Sequence, residues 1–577
     1  MDEQQRNLFI AIALSLAILF VFQFWFAPRQ AQQQQAQQAQ QNQSAPATPV
    51  PEKAAAPPAP APGMSGTPPA HAAPRADVLG KAPRVTIATP RLNGSIDLNG
   101  ARIDDLTLVN YHETVDPKSP EIVLLAPEGS EQPYFVELGW VASDAKTKLP
   151  GPDTKWTGQG ALAPDHPLDL TWDNGEGLTF TRRIAIDPEY MFSVTQTVVN
   201  HGAAPVTLLP YGLVQRSGEV PVSSTYLLHE GPIGVFNGTL QDGYKYADLK
   251  SGEKDFATVG GWMGFTDKYW LVSLIPDLDE PAKARMRFSE RDNTDVYQVD
   301  YTGGERVVAP GGTASATTRI FAGAKEVALL DRYEAQGRVP RFDRAIDFGW
   351  FYFLTKPIFL TLDFFYHLIG NFGLAIMLLT VLIKLLFFPL ANKSYRAMSK
   401  MKLLQPEMAK LRERFGDDKQ KINQEMMALY KRVGANPMAG CLPIVIQIPV
   451  FFSLYKTLYV TIEMRHAPFY GWIHDLSAPD PTTFVNLFGL IPFTPPDISF
   501  LHIGAWPLIM GCTMFLQQKL NPQPPDPMQA KMFMILPVVF TFMLAPFAAG
   551  LVIYWSWNNL LSIAQQWLIM RQARPKT

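Results

Sequence analysis

The apolar and polar positions of the chain follow two patterns, one typical of membrane helices and one typical of β-strands. Residues 8–26 form an apolar run that only Ser15 and Gln23 interrupt, and its 19 residues are enough to cross a bilayer. No small-residue cleavage site follows, which favours an uncleaved anchor within residues 1–27 over a signal peptide. Five more apolar runs near the C-terminus predict five further spans, at residues 372–390, 441–460, 500–516, 532–547 and 551–570.

Between these membrane segments, residues 81–341 carry short alternating apolar runs separated by turn residues. Asn174 and Gly175 separate two such runs, which predicts a β-hairpin, and a third run follows Pro188. The apolar positions of the three runs are Leu168, Leu170, Trp172, Leu178, Phe180, Ile184, Ile186, Phe192, Val194 and Val198. We therefore expect a large β-sandwich in this water-soluble domain.

The segment that joins the anchor to the predicted sandwich, residues 28–80, has a different composition. It is rich in Gln, Ala and Pro and has almost no aliphatic residues, so it cannot bury a core. We expect a disordered tether there.

The segment just before the five C-terminal spans is also apolar, but it carries charge on one side. Lys356, Asp363 and His367 share one face of a helix that would cover residues 349–369. This pattern predicts an amphipathic helix, within residues 342–370, that lies in the membrane interface.

The basic residues predict the topology of the chain. Residues 391–440 contain eleven Lys and Arg against five Asp and Glu, which places this loop in the cytoplasm by the positive-inside rule. Six spans then give cytoplasmic N- and C-termini and a β domain on the outer side of the membrane.

The same basic loop has the pattern of a helical hairpin. Its apolar residues step by four, three and four on each side of a break at residues 416–418. The pattern fits either a soluble coiled-coil spacer or a mobile arm that meets ribosomes, targeting factors or emerging chains. The residues of the predicted seam are Leu404, Met408, Leu411 and Phe415, then Ile422, Met426, Leu429 and Val433.

Polar residues recur within the predicted spans, where contact with lipid would cost free energy. A charge at the centre of a spanning helix costs about 2.5 to 3.5 kcal/mol on insertion scales, so these side chains should face a bundle interior or a wet cavity. Snorkelling of the lysine to the interface and ordinary interhelical hydrogen bonds are equally compatible with the pattern. The candidate groove residues are Lys384, Thr380, Gln447, Tyr554, Asn558, Ser562 and Gln565.

The composition and motifs of the chain argue against several classes of function. The chain has 577 residues, is 47% hydrophobic and carries a formal net charge of -2, so no global field indicates specific nucleic-acid binding. Its two cysteines provide neither a disulfide framework nor a zinc cluster, and the sequence contains no GxxxxGK[ST] or HExxH motif. We expect no cofactor and no metal site, and the common phosphate-binding and metalloprotease mechanisms have no visible site in the sequence.

Four stretches of the C-terminal region resemble one family closely. They are LLQPEMAKLRERFGDDKQKINQEMMALYK, NPMAGCLPIVIQIPVFFSLY, HAPFYGWIHDLSAPDP and GLVIYWSWNNLLSIAQQ. These stretches and the order of segments are similar to the YidC family of membrane protein insertases, in its long Gram-negative form. The close motifs run from about residue 374 to residue 570, whereas the β domain matches only by position and character.

The resemblance implies a polytopic α-helical protein of the bacterial inner membrane, with a five-helix insertase core at 371–577 and a periplasmic β-supersandwich at 81–341. In this family the core encloses a hydrophilic groove into which one basic residue projects. Lys384 occupies that position, one turn after Thr380, where most Gram-negative relatives carry arginine. Lysine keeps the charge but loses the planar guanidinium fork.

The resemblance also implies a function and partners. The protein would insert and fold nascent membrane proteins, alone or beside the Sec translocon and in contact with membrane lipids, without hydrolysing nucleotide. Its β domain would resemble sugar-binding sandwiches such as galactose mutarotases.

Two other functions are compatible with the sequence, a small-solute transporter and a membrane-anchored periplasmic protein that binds or processes sugars. A transporter usually carries internal repeats, which we do not detect between the spans. A sugar-processing enzyme would leave the five C-terminal spans without a role.

Overall fold

The computed structural model describes residues 73–144, 146–218, 220, 228–416, 418–433, 442–491, 502–521 and 527–573. The predicted anchor at residues 1–27 and most of the predicted tether lie outside these residues. At the end of that tether the structure differs from the expectation, because Arg75–Leu79 form helix α1. Arg75 pairs there with the buried carboxylate of Asp105 on the β domain, which ties this end of the segment down.

Eighteen β-strands within the described residues form two antiparallel sheets, together called the β domain below. One sheet has the order β1-β2-β3-β5-β9-β16-β15-β12, with β4 beside β3 and β17 beside β9, and the other has the order β11-β10-β13-β14-β18-β8-β7-β6. The strands are β1 (Arg84–Ala88), β2 (Leu92–Asp97), β3 (Ile103–His112), β4 (Glu121–Leu125), β5 (Tyr134–Ala142), β6 (Leu168–Asp173), β7 (Leu178–Ile186), β8 (Met191–Asn200), β9 (Val206–Ser217), β10 (Gly231–Phe236), β11 (Thr239–Gln241), β12 (Lys254–Val259), β13 (Gly261–Thr266), β14 (Trp270–Ile275), β15 (Pro281–Arg291), β16 (Thr294–Gly303), β17 (Arg306–Val308) and β18 (Thr313–Ala324).

The alternation in the sequence corresponds to burial in this domain. The predicted hairpin is confirmed, since β6 and β7 pair with Trp172 opposite Phe180, and β8 then places Val198 beside Phe180. Gly175 takes a φ of 72° in the turn and its N–H donates to Asp173 Oδ1 at 2.7 Å. Side chains from both sheets form one hydrophobic core, as expected of a sandwich.

Twelve α-helices lie among the described residues, and most of them follow the sheets in the chain. After α1 come α2 (Tyr246–Lys250), α3 (Val327–Gly337), α4 (Tyr352–Ile369), α5 (Phe372–Leu386), α6 (Phe388–Leu403), α7 (Gln405–Phe415), α8 (Lys419–Val433), α9 (Leu442–Val460), α10 (Ala505–Leu520), α11 (Pro527–Leu544) and α12 (Ala549–Ala573). Helices α4 to α12 are called the helical region below.

The first predicted span of the helical region is shorter than the apolar run indicates. It begins after Asn371, whose Oδ1 accepts the N–H of Leu374 at 3.0 Å as an N-cap, but it ends at Leu386 instead of residue 390. Pro389 cannot donate to the carbonyl four residues earlier, so the chain breaks at Phe387 and restarts as α6. By length and hydropathy, no one helix in the described segments qualifies as a bilayer crossing, while α5 and α6 qualify as a pair bent by 70°.

Helix α4 occupies the segment expected in the interface, although it starts at Tyr352 because Gly349 adopts a φ of 72°. It buries Ile358, Phe359 and Leu362, and leaves Phe364 and Leu368 exposed. Besides its charged face, the helix therefore has one apolar side packed on the protein and one apolar side that is uncovered.

Polar contacts join the β domain and the segments that follow it to the helical region. Lys356 on α4 pairs with Asp331 at 2.8 Å and with Asp343 at 2.9 Å, and Lys456 on α9 pairs with Asp347 at 2.9 Å. A 3₁₀ turn at Ile462–Met464 follows α9 and provides one more contact. There Glu463 Oε1 accepts the N–H of Val327, the first residue of α3, at 2.8 Å, and burial raises the pKa of Glu463 to about 8.

Candidate functional site

Among the described helices of the helical region, α12 carries the most buried polar side chains, and it contacts several neighbouring helices. Trp557 Nε1 donates to the carbonyl of Met377 on α5 at 3.2 Å, which fixes the two helices side by side. Its buried polar side chains are Ser556, Asn558, Asn559, Ser562 and Gln566. Buried polar groups in a bundle need partners, so the contacts of these residues define the site.

Lys384 is the charged residue of the candidate site. It sits in the last turn of α5, half-buried, and its Nζ donates to Ser562 Oγ on α12 at 2.7 Å. Ser562 in turn donates to the carbonyl of Asn558 at 2.8 Å and lies within hydrogen-bonding range of Tyr395 on α6. Within the described part of the chain no carboxylate forms an ion pair with Lys384, so its polar partner there is a neutral hydroxyl.

The remaining predicted groove residues lie on three helices, α5, α9 and α12. Thr380 is buried, and its hydroxyl donates to the carbonyl of Ile376 in its own helix at 2.7 Å. Gln447 on α9 donates to the Tyr554 hydroxyl. Gln565 donates to Asn392 Oδ1 on α6 at 3.1 Å. The polar stripe on α12 thus reaches α9 with Tyr554, α5 with Ser562 and α6 with Gln565.

A second set of polar contacts on α12 is not apparent from the sequence. Asn559 donates to Thr513 Oγ1 on α10 at 3.2 Å, and Gln566 donates to Asn521 Oδ1, just beyond α10, at 3.3 Å. The one hint of these contacts in the sequence is the adjacent pair Asn558 and Asn559, because neighbouring positions on a helix point about 100° apart. One asparagine therefore had to face away from the predicted groove.

The side of α5 beyond Lys384 is apolar and uncovered. Leu382, Leu385 and Leu386 surround the lysine position on the helix and are 44 to 72% exposed. The polar face of the site thus adjoins a surface suited to lipid tails or to an apolar client helix.

Helices α7 and α8 form the predicted hairpin on either side of Gly416. Leu404, Met408 and Leu429 are buried together, with Leu411 and Met426 packed against them. Phe415 and Ile422 lie outside that cluster; Phe415 instead packs under the charged ends of Arg414 and Lys421. The apolar cluster of the seam thus lies toward the α6 end of the hairpin, while Ile422 near the tip is buried outside it.

The chain matches two family models and many curated relatives. The YidC periplasmic domain matches residues 84–361, and the 60Kd inner membrane protein model matches residues 364–576. A membrane protein insertase YidC from Methylobacterium sp. (strain 4-46) is 53% identical over 540 residues, which are 91% of this chain and 85% of that protein. One from Granulibacter bethesdensis (strain ATCC BAA-1260 / CGDNIH1) is 55% identical over 500 residues, which are 85% and 86% of the two chains.

A crystal structure described as an active YidC insertase with the first transmembrane domain resolved is 18% identical, and the match covers 83% of this chain and 91% of that one. The TM-score of this match is 0.35. Both family models, and relatives that are more than 50% identical over most of the chain, show that the chain belongs to the YidC family of membrane protein insertases, which are inner membrane proteins with a periplasmic domain.

Proposed function

We propose that this chain inserts membrane proteins into the inner membrane through a polar groove between α5 and α12, with Lys384 as its charged residue. The main support for this proposal is the environment of Lys384. Its ammonium group points across to Ser562 on α12 and has no carboxylate partner in the described segments. A cation held by a neutral hydroxyl is free to attract an anionic group from a client.

The direction of the Lys384 side chain argues against snorkelling. A snorkelling lysine extends along its own helix toward the headgroups, whereas this ammonium group is held against a neighbouring helix. Since an unpaired charge in hydrocarbon would be costly, we infer that water enters the groove and solvates it.

The mechanism needs no covalent step. The positive site attracts the polar, often acidic, outer segment of a small client and shortens its path across hydrocarbon. The client's apolar helix then moves along the uncovered side of α5 at Leu382, Leu385 and Leu386 into lipid. Hydrophobic transfer and the membrane potential, about 2.3 kcal/mol per charge per 100 mV, provide the driving force. We therefore propose a nucleotide-independent insertase and chaperone, not an enzyme.

The proposal includes a topology and partners. Six spans, with both termini in the cytoplasm and the β domain in the periplasm, place the basic α7–α8 hairpin where chains emerge. Its many lysines and arginines suit contact with ribosomes or targeting factors, and the β domain provides a surface for the Sec translocon. The alternatives of a small-solute transporter and a sugar-processing protein are set aside, because the relatives that match most of this chain at more than half identity are membrane protein insertases.

The test is insertion of a single-span client into liposomes without nucleotide, with wild type, Lys384→Leu and Lys384→Arg. We expect Lys384→Leu to lose most insertion of a client with an acidic outer segment, and Lys384→Arg to retain it. Lys400→Leu removes the same charge from an exposed position on α6 and is the matched control. Equal insertion by Lys384→Leu and wild type would refute the role of this charge.

A further inference from the structure

The loop between α9 and α10 contains a short apolar segment that the groove mechanism does not use. This segment, residues 484–491, is called the apolar lobe. None of its side chains is buried, and Phe484, Leu487, Phe488, Leu490 and Ile491 are 41 to 83% exposed. Five large apolar side chains so close together form a patch that water disfavours, and such patches mark binding surfaces.

Two residues of the lobe have a strained backbone conformation. Leu487 (φ 50°, ψ 45°) and Phe488 (φ 60°, ψ 35°) are both in the left-handed region, which is uncommon for large side chains. Hydrogen bonds hold the turn, with the Phe488 N–H donating to the Thr483 carbonyl at 2.8 Å and the Gly489 N–H donating to Asn486 Oδ1 at 2.9 Å. Backbone strain that surrounding hydrogen bonds maintain is typical of functional sites.

The base of the lobe is fastened to the start of α10. The Phe484 N–H donates to the carbonyl of Ile503 at 3.1 Å, two residues before the helix begins. Asp480 Oδ2 accepts the N–H of Trp506 at 2.9 Å, and its Oδ1 accepts Trp472 Nε1 at 3.1 Å. The lobe therefore sits at the level where α10 starts.

Two features favour a membrane over a protein as the occupant. No Asp, Glu, Lys or Arg occurs between Asp480 and Asp497, so this segment contributes none of the charged residues that rim a protein-binding patch in water. Tyr470 and Trp472 in the same loop are 62 and 42% exposed, and these residue types concentrate at membrane interfaces. Ile509, one turn inside α10, is also an exposed apolar residue.

We propose that the apolar lobe inserts into the outer leaflet of the inner membrane beside the start of α10. It then fixes the outer end of α10 in depth, and with it the side of α12 that α10 holds through Thr513 and Asn559. The proposal rests on the topology given above, which puts the α9–α10 loop on the periplasmic side, but it does not depend on the role of Lys384.

The experiment uses the full chain in liposomes with Cys441 and Cys512 replaced by serine and one cysteine introduced at Phe488 or Leu490. A polarity-sensitive fluorophore on that cysteine reports water, and lipids brominated near the headgroup or near the chain end report depth. We expect blue-shifted emission that is quenched more strongly by the shallow bromines. Val307→Cys, an equally exposed apolar site on β17, should show aqueous emission without quenching, and Ile509→Cys should be quenched.

Three results would overturn the proposal. Aqueous, unquenched emission at Phe488, with normal quenching at Ile509, would place the lobe in water. Emission that is blue-shifted but unquenched would mean that protein covers the lobe. Loss of quenching at Ile509 as well would refute the assignment of α10 as a span, and the lobe proposal with it. Since an apolar label could itself draw the lobe into lipid, the same label at Phe488 with Leu487→Asp should lose most of its quenching.

Discussion

Two lysines, one buried in the β domain and one half-buried in the helical region, show how differently these regions accommodate a charge. Lys325 in the β domain is 1% exposed, and its Nζ donates to Thr266 Oγ1 at 2.8 Å and to the Asp267 carbonyl at 2.6 Å. Burial lowers its pKa to about 8, while the charges of Asp267, Asp347 and Glu230 act in the opposite direction. Lys384 has one neutral hydroxyl partner and no carboxylate in the described segments.

The β domain and helices α5 to α12 also differ in how their other charged residues are paired. The β domain holds buried ion pairs such as Arg287 with Asp300 at 2.9 Å and Arg102 with Glu137 at 2.6 Å. By contrast, no ion pair joins two described residues within α5 to α12. The β domain therefore uses its charges to stabilise itself, whereas the helical region leaves its inner charge available, as a client-binding site requires.

The largest effect is expected from removing each lysine in turn. Lys325→Ala leaves a cavity and two polar groups without their donor, so we expect the β domain to lose about 3 kcal/mol of unfolding free energy. Lys384→Ala removes one hydrogen bond in a bundle and should cost less than about 1 kcal/mol, yet it should abolish most client insertion. Hydrogen exchange of the β domain and insertion assays on both variants measure the two effects.

The opposite result for the two variants would refute the assignment of Lys325 as structural and Lys384 as functional. If Lys384→Ala unfolded the bundle while Lys325→Ala left the β domain unchanged, then Lys384 would be the structural lysine. Lys393→Ala, at an exposed position on α6, controls for the loss of a positive charge as such.

The pH dependence of the junction between the two regions is the next effect in size. Glu463 is faced by Glu326, Asp363 and Tyr111, and burial raises its pKa from 4.5 to about 8. The folded junction thus holds a proton that the unfolded chain releases above pH 4.5. The stabilisation is complete below pH 4.5 and is lost as the pH rises through about 8, with a slope of up to about 1.4 kcal/mol per pH unit.

Exchange of the Val327 amide between pH 5 and 8, corrected for intrinsic rates, measures this slope. We expect protection to fall with rising pH in the wild type and to become flat in Glu463→Gln. Glu113→Gln changes an exposed carboxylate close to the same junction and should keep the wild-type slope. A slope that survives in Glu463→Gln would assign the titration to another group.

The two regions also differ in how far the sequence predicts them. In the β domain the alternation at Leu178, Phe180 and Ile184 corresponds directly to burial, because a strand has only two faces. In the helical region the sequence identifies the polar residues of α12 but not their partners. Helical periodicity gives the direction of a side chain, yet nothing local specifies that Asn559 meets Thr513, 46 residues away.

Other features depend on the chain as a whole. The apolar run predicts a span to residue 390, whereas Pro389 ends the helix at Leu386 and bends the chain by 70°. The ion pair of Lys456 with Asp347 joins residues 109 apart and depends on how the regions dock. Lys384 stands out in the sequence because a charge within an apolar run is costly wherever its partner lies.

The smallest effect is expected for single hydrogen bonds, and it sharpens the comparison between the regions. A double-mutant cycle on Asn559→Ala and Thr513→Val should give a coupling of about 0.6 kcal/mol, because helices separated in a bilayer still find other polar partners. The buried hydroxyl pair of Tyr301 and Thr318 in the β domain, tested with Tyr301→Phe and Thr318→Val, should give about 1 kcal/mol. Steric trapping in bicelles measures the first cycle and urea unfolding the second. A larger coupling at Asn559 would mean that the α10–α12 contact is built for rigidity, so the groove would rely on a fixed α12 and not only on the free charge of Lys384.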